Sequence, residues 1–366
     1  MKSKLILTLF TVLALFSAGT AQDMNNVKYP EMQKISSRRK IVIPDIPGFV
    51  TLKCDFHMHT VFSDGIVWPT YRVDEAWTEG LDAIAITDHI EKQPSKEYIS
   101  GDHNASYEIA YPQAIEKGII LIKAGEVTRT MPPGHLNALF LEDVNRLDVE
   151  DVTAALTEAR KQGAFIIWNH PGWQAQQPDT CLWMPMHQSL FEQGLINGIE
   201  VFNEVEFYPV VLDWCINRKL TVISNSDIHD IISDAYYLET QPRPLTLVFA
   251  KEKSSNSIKE AMFEGRTLAL FNNHVAGRED LLKELLTASL TIKLLGNAKD
   301  KNEKRYEIIN NSAIEFKVEN QKGDLLIIPG ESTIISALNP KYYENSRIIN
   351  LLTGSNSCLT TNLLYK

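Results

Sequence analysis

The chain reads as an α/β protein carrying a small β-rich addition at its C-terminal end, and three observations lead there. From Leu52 onward, short apolar runs with strand character alternate with helical patterns, as in a parallel sheet with helices packed outside it. Histidines and carboxylates gather where those runs end: Asp55-Phe-His57-Met-His59, Thr87-Asp88-His89, Gly125-Glu126, His135, Asn169-His170-Pro171 and Ser226-Asp227-Ile-His229. After about Ala276 the texture changes to β-rich segments without such motifs, separated by Asn, Asp, Lys and Gly turns.

Leu52 to His57 is strand-like. Pro69 to Glu79 has proline at a first helical position and Val73, Ala76 and Trp77 at helical spacing. Ala83 to Thr87 and Ile119 to Ala124 follow as strands, then Leu136 to Leu141 and Ala164 to Trp168 with a helix from Val149 to Gln162 between them. Ile199 to Phe202 and Thr221 to Ser224 flank a helix near Val210 to Arg218. Leu245 to Ala250 and Thr267 to Phe271 flank another. Arg278 to Ala288 is helical and leads into the strand-like runs at Leu290, Ala313 and Leu325. From pattern alone an open, doubly wound sheet is one solution, and function belongs at the carboxyl ends of its strands.

With 366 residues the chain can bury a sizeable core and suggests about two domains. Its start has the order of a secretory signal: Lys2 and Lys4, an apolar run from Leu5 to Phe16, then Gly19-Thr20-Ala21 before a mature start near Gln22. The run is short for a spanning helix, so export to the periplasm or the medium is expected, with no stable membrane anchor. Residues 22–50 form a polar, proline-containing leader. The net charge is −10, and losing Lys2 and Lys4 with residues 1–21, which hold no acid, leaves −12. Such a chain repels duplex nucleic acid and favours a small substrate, although bound dications would invert the local potential. Cys54, Cys181, Cys215 and Cys358 form no Cys-x-x-Cys and read as free thiols.

Six of the nine histidines lie in the strand-end set. Neutral imidazole and carboxylate are common ligands of Zn, Mn and Fe, and residues two apart on a strand share a face. His57 with His59, and Asp227 with His229, therefore aim at one mouth. Glu126 has two oxygens and can span two cations. Asp55 and Asp88 stand where carboxylates could orient imidazoles, with Asp88 equally suited to capping a turn. Arg129 and Arg243 are candidates for substrate phosphate, because a guanidinium matches phosphate oxygens in pairs. His103, His187 and His274 receive no role, and Trp168, Trp173 and Trp183 read as wall and core packing. A P-loop, a Gly-x-Ser-x-Gly elbow and a helical His-Glu-x-x-His are all missing.

The series of motifs, in this order from about Leu52 to Leu270, resembles the polymerase and histidinol phosphatase (PHP) family of metal-dependent phosphoesterases. The resemblance implies a distorted barrel of about seven strands, (β/α)7 in type, over residues 51–275, followed by the small β-rich domain over 276–366. It implies two or three divalent cations (Mn, Zn or Fe): one on His57, His59, Glu126 and Asp227, a second on Asp64, His89 and His229, and a third on His135 and His170 with Glu126 bridging. Glu126, Asp64 and His229 would then be catalytic, with a cation-bridging hydroxide attacking phosphorus. Some members carry His where Asp64 stands, and the harder oxygen ligand favours Mn or Fe. The implied substrate is a small phosphate ester. A diester is favoured over a monoester of the histidinol phosphate or nucleotide kind, since a histidinol phosphatase works in the cytoplasm. Two rivals remain. One is a metal-dependent amidohydrolase, for which Lys123 is the only lysine near a motif strand end; the other is a non-catalytic metal-binding module.

Overall fold

The computed structural model describes residues 29–33, 37–178, 180–238 and 242–364. The expected signal over 1–21, with residues 22–28 and 34–36 of the leader, lies outside the described residues. Residues 1–37 and 38–366 are separate compact units. The first contributes one described 3-10 turn, Pro30–Met32.

The second unit begins with β1 (Val50–Asp55), α1 (Pro69–Glu79), β2 (Ala83–Ile86), α2 (Ala105–Lys117), β3 (Ile120–Val127), β4 (Leu136–Leu139), α3 (Val152–Lys161) and β5 (Phe165–Trp168). It continues through α4 (Pro185–Glu192), β6 (Gly198–Asn203), β7 (Glu206–Phe207), α5 (Pro209–Arg218), β8 (Thr221–Asn225) and α6 (Ile232–Ala235). Next come β9 (Leu245–Ala250), α7 (Ser255–Phe263), β10 (Thr267–Phe271) and β11 (His274–Gly277). The C-terminal part holds α8 (Glu279–Ser289), β12 (Leu290–Asn297), β13 (Lys304–Asn310), β14 (Phe316–Glu319), β15 (Leu325–Ile328), β16 (Ser332–Leu338), β17 (Ser346–Gly354) and β18 (Ser357–Thr361).

α1 starts on Pro69 and stops at Gly80, whose φ of 89° suits glycine and whose N–H returns to the carbonyls of Ala76 and Trp77. α2 has no counterpart in the sequence reading. It buries only Ser106, Ala110 and Ala114 and carries Pro112 inside it, so no apolar stripe marks it.

The main sheet has fifteen strands and is mixed rather than parallel. β1, β2 and β3 run parallel, as do β5, β6 and β8. The two blocks are joined through β4, antiparallel to both β3 and β5. On the far side of β1, β9, β10 and β11 follow as antiparallel neighbours.

The expected barrel does not close among the described residues. β9 is hydrogen-bonded to both β1 and β10, and β10 to both β9 and β11. No backbone edge is left for β8. Side-chain hydroxyls span the gap instead: Thr246 Oγ1 donates to Ser224 O (2.8 Å) and accepts from Ser224 N (2.9 Å), and Thr267 Oγ1 donates to Val222 O (2.7 Å).

The β-rich C-terminal part divides between two sheets. β12, β13 and β16 form a separate three-stranded sheet. β14, β15, β17 and β18 extend the main one, through parallel pairing of β17 with β11. One apolar cluster runs from Ile84 and Leu247 through Leu282 and Leu285 of α8 to Phe316 and Ile348.

Candidate metal centre

The ligand-type residues emerge at one edge of the sheet. His57 and His59 follow β1, His89 follows β2, Glu126 ends β3, His170 follows β5, and Asp227 and His229 follow β8. His135 precedes β4, which is antiparallel and so starts at the same edge. The loops are held together past the strand ends by single bridges, Met58 to Ile228 and His89 to Glu126. His170 and Asp227 have positive φ (26° and 51°), a costly backbone state for such residues that is found at functional sites.

Glu126 lies at the centre, fully buried. One oxygen, Oε2, is 2.8 Å from His57 Nε2 and 3.4 Å from His59 Nε2; the other, Oε1, is 2.6 Å from His135 Nδ1 and 3.3 Å from His89 Nδ1. Asp227 Oδ1 is 3.0 Å from both His57 Nε2 and His59 Nε2, and its Oδ2 is 3.7 Å from His170 Nε2. Asp64 Oδ1 is 3.3 Å from His89 Nε2 and 3.2 Å from His229 Nε2.

Four groups have ligand atoms all within 4.8 Å of one another: His59, Asp64, His89 and His229; His57, Glu126 and His170; His57, His59 and Asp227; and His89, Glu126 and His135. The structure thus brings together all nine expected ligands but apportions them differently. His59 stands with the Asp64 group as well as, as expected, with His57 and Asp227, while His135 and His170 approach different partners around Glu126.

The donor set fits a cation. Asp64 Oδ1, Glu126 Oε1 and His135 Nδ1 are buried and have no hydrogen-bond partner, although each faces another lone-pair donor closely. A buried polar atom left this way is costly, and a cation satisfies several at once. Without one, protons take part of that role. Burial alone would lower His57, but the carboxylates of Asp227, Glu200 and Glu126 outweigh it and hold the imidazole well above its ordinary pKa. His89 is likewise carried against burial to about 10 by Glu126 and Asp64. His229 rises by the same balance, through Asp64 and Asp227. His59 and His170 are lowered, by burial first and by neighbouring histidines. Glu126, Asp227 and Asp64 stay below the usual carboxylate range despite burial, because imidazoles surround them and, at Asp64, Lys92 adds its ammonium.

The residue that orients an imidazole is one the sequence reading missed. Glu200, buried in the middle of β6, accepts from His57 Nδ1 at 2.8 Å, from the His170 backbone N–H at 2.7 Å, and from Asn203 and Asn225. It fixes the His57 tautomer and turns Nε2 toward Glu126 and Asp227. The available signal was a carboxylate inside the apolar run Gly198-Ile-Glu-Val-Phe202. Thr128, also missed, lies 2.6 Å from His89 Nδ1.

Asp55 and Asp88 do not orient imidazoles. Asp88 accepts from Thr60 N, Thr60 Oγ1 and Ser63 Oγ, shaping the loop between His59 and Asp64. Asp55 accepts from Ser226 N and Oγ and from Arg243, tying β1 to the end of β8.

Arg243 is not at the mouth. It is fully buried, paired with Asp55 (3.0 Å) and with both oxygens of Glu79, because proline-flanked chain leads it beneath the strand ends. Arg129 lies at the rim, but its guanidinium is committed to Glu91 and to the carbonyls of Thr128, Val149 and Glu150. Lys123, three before Glu126 on β3, points to the opposite face, with Nζ 4.7 Å from the Tyr107 ring centre. Trp168 and His187 stack at 3.8 Å as core, and His187 Nε2 donates to Pro133 O. Trp173 differs: it is 40% exposed, and its ring lies 5.4 Å from His170 and 5.7 Å from His135.

No family model matches the chain, and no curated protein does. Among solved structures it is similar to a two-domain protein from Bacteroides vulgatus that contains a predicted PHP-like metal-dependent phosphoesterase: 40% identity over 89% of this chain and 98% of that one, with a TM-score of 0.85. An amidohydrolase from Chromobacterium violaceum matches at 16% identity over 50% of this chain and 89% of its own, with a TM-score of 0.38. A proposed metal-dependent phosphoesterase from Bifidobacterium adolescentis matches at 16% over 58% and 96%, with a TM-score of 0.40. Both lie too far away to add to the assignment.

Proposed function

Because the chain belongs to the PHP-like metal-dependent phosphoesterases, we propose that it hydrolyses small phosphate esters, diesters in preference to monoesters, with two or three divalent cations bound among His57, His59, Asp64, His89, Glu126, His135, His170, Asp227 and His229. The observation that carries this reading is the convergence of those side chains with ligand atoms left unpartnered. Asp64, Glu126, Asp227 and Glu200 together bring four negative charges, which two dications balance. When bound, Mn, Zn or Fe supplies Lewis acidity toward phosphate oxygens and acidifies a water to near neutral pKa.

The chain's own residues do the positioning. Glu126 holds the two halves of the cluster in register through its two oxygens. Asp64 and His229, with side chains 14% and 32% exposed, form the accessible side where substrate meets the cluster. Glu200 keeps His57 in one tautomer. The diester preference rests on charge and shape. Arg129 and Arg243 are committed elsewhere, so phosphate charge falls to the cations, and a diester brings one negative charge where a monoester brings about two. Trp173 offers an aromatic wall for the second ester group.

An amidohydrolase reading loses support because Lys123 points away from the cluster. Export remains part of the proposal, and intact-mass measurement of secreted material beginning near Gln22 tests it. The activity test is a comparison of bis- and mono-p-nitrophenyl phosphate on protein stripped and reloaded with Mn, Zn or Fe, corrected for leaving group. Higher kcat/KM for the diester is expected. A monoester preference of tenfold, about 1.4 kcal/mol, reassigns the protein as a phosphatase. Bound metal with no turnover of either ester points to a binding module.

A further inference from the structure

Arg72 is a fully buried arginine on α1 that the sequence motifs do not include. Its five N–H groups all find acceptors. Nε donates to His59 O (2.9 Å). Nη1 donates to Glu75 Oε2 (2.7 Å) and Asp230 O (2.8 Å). Nη2 donates to Ile228 O (3.1 Å) and His229 O (2.9 Å). Four of the five acceptors are backbone carbonyls, and they belong to the two loops that carry His59 and His229. Glu75 completes the device, since its other oxygen accepts from Ile232 N at 2.8 Å, just beyond the second loop.

Packing alone does not account for this residue. Burying a guanidinium is expensive unless every donor is met, and an apolar side chain would fill the same slot at less cost. What a guanidinium adds is a rigid planar fork of five donors, which fixes the separation of the carbonyls it binds. Here those carbonyls set how far His59 stands from His229, whose rings stack at 4.1 Å. Both residues belong to the ligand group with Asp64 and His89, and His59 also stands in the group with His57 and Asp227. The other half of the cluster, around His57 and His170, is held by Glu200 and makes no hydrogen bond to Arg72 among the described contacts.

We infer that Arg72, braced by Glu75, is a positioning residue chiefly for the cation position formed by His59, Asp64, His89 and His229, and reaches the group of His57, His59 and Asp227 only through His59. The inference rests on the metal-site part of the proposed function and is independent of the substrate.

The test reads metal directly. Wild type, Arg72→Lys, Glu75→Gln and Glu200→Gln are stripped with chelator and titrated with Mn, following free Mn by electron paramagnetic resonance and bound Mn by elemental analysis. Lysine keeps the charge but has three donors from one point; glutamine keeps the shape of Glu75 and removes the charge that braces the fork. The expected result is that Arg72→Lys and Glu75→Gln weaken one binding step by about 10–100-fold and the remaining steps by far less. Glu200→Gln weakens a different step. Equal weakening of all steps in both Arg72→Lys and Glu75→Gln, or isotherms identical to wild type, overturns the assignment. If Arg72→Lys does not fold, Glu75→Gln alone decides by the same criterion. Wild-type protein that binds Mn but hydrolyses no phosphate ester defeats the proposed activity and leaves this assignment standing; wild type that binds no Mn defeats both.

Discussion

Replacing Arg243 by methionine keeps an aliphatic stem in its buried slot and removes the guanidinium that links Glu79 on α1 to Asp55 at the end of β1. Asp55 keeps three donors, Ser226 N, Ser226 Oγ and His57 N, so its share of the loss is small. Glu79 was held by Arg243 through both oxygens and becomes a buried, uncompensated carboxylate. Removing one partner of such a pair costs about 3–5 kcal/mol, a large part of the roughly 5–15 kcal/mol that keeps a domain folded. Adding Glu79→Met removes the stranded charge and should recover part of the loss. The assay is urea unfolding of metal-free protein followed by circular dichroism, paired with KM for bis-p-nitrophenyl phosphate on Mn-loaded protein. KM of the folded Arg243→Met variant should stay within about twofold of wild type, because no substrate reaches this side chain. An unchanged unfolding midpoint together with a tenfold rise in KM, about 1.4 kcal/mol, would refute the reasoning and return Arg243 to the substrate.

Glu126→Ala should abolish turnover and remove more than one cation by elemental analysis, since both carboxylate oxygens face separate imidazole pairs; His103→Ala should leave both properties near wild type. Trp173→Ala should raise KM for diaryl phosphates more than for methyl aryl phosphates, read from paired kinetics, with equal effects speaking against an aromatic wall. Chelated protein should lose stability as pH rises. The His89 pKa in the fold is about 10 against about 6.5 unfolded, so its contribution is fully present below about 6.5 and is lost as pH climbs through about 10. Metal-loaded protein should show the opposite slope between about pH 5 and 7, because cations displace those protons; urea midpoints across pH, with and without chelator, compare the two.

The strand-end motifs were legible because a packed core excludes imidazole and carboxylate, so residues such as His57, His89 and Asp227 stand out wherever a strand ends. Strand identity was legible for the same reason in reverse: runs such as Leu245–Ala250 are apolar but for Thr246 and are buried on both faces. What pairs with what was not. Which imidazole joins which carboxylate depends on loop paths set by Arg72, Asp88 and Glu200, each acting over a long sequence separation. Arg243 looked like a substrate ligand because position relative to a strand end says nothing of depth, and its partners Asp55 and Glu79 lie 188 and 164 residues away. Barrel closure was likewise invisible. It depends on which edges β9 and β10 have already used, and a hydroxyl bridge from Thr246 leaves no periodic trace.

The two buried arginines and the acidic character of the chain are parts of one arrangement. Arg72 spends its donors on Glu75 and on the carbonyls behind His59 and His229; Arg243 spends its own on Glu79 and Asp55. Both lie beneath the ligand cluster and neutralise the frame, not the mouth. At the mouth the carboxylates of Asp64, Glu126 and Asp227 are met, without metal, by protons on His57, His89 and His229 and by Lys92 against Asp64, which leaves little positive field to draw a phosphate ester. Cations make that potential positive at the place where the reacting phosphorus must sit. The order of events follows from the charges: metal first, ester second. A free cationic side chain at the mouth would blur that order by attracting phosphate to a cluster not yet loaded; Arg129 is committed to Glu91 and three carbonyls, and Lys92 to Asp64.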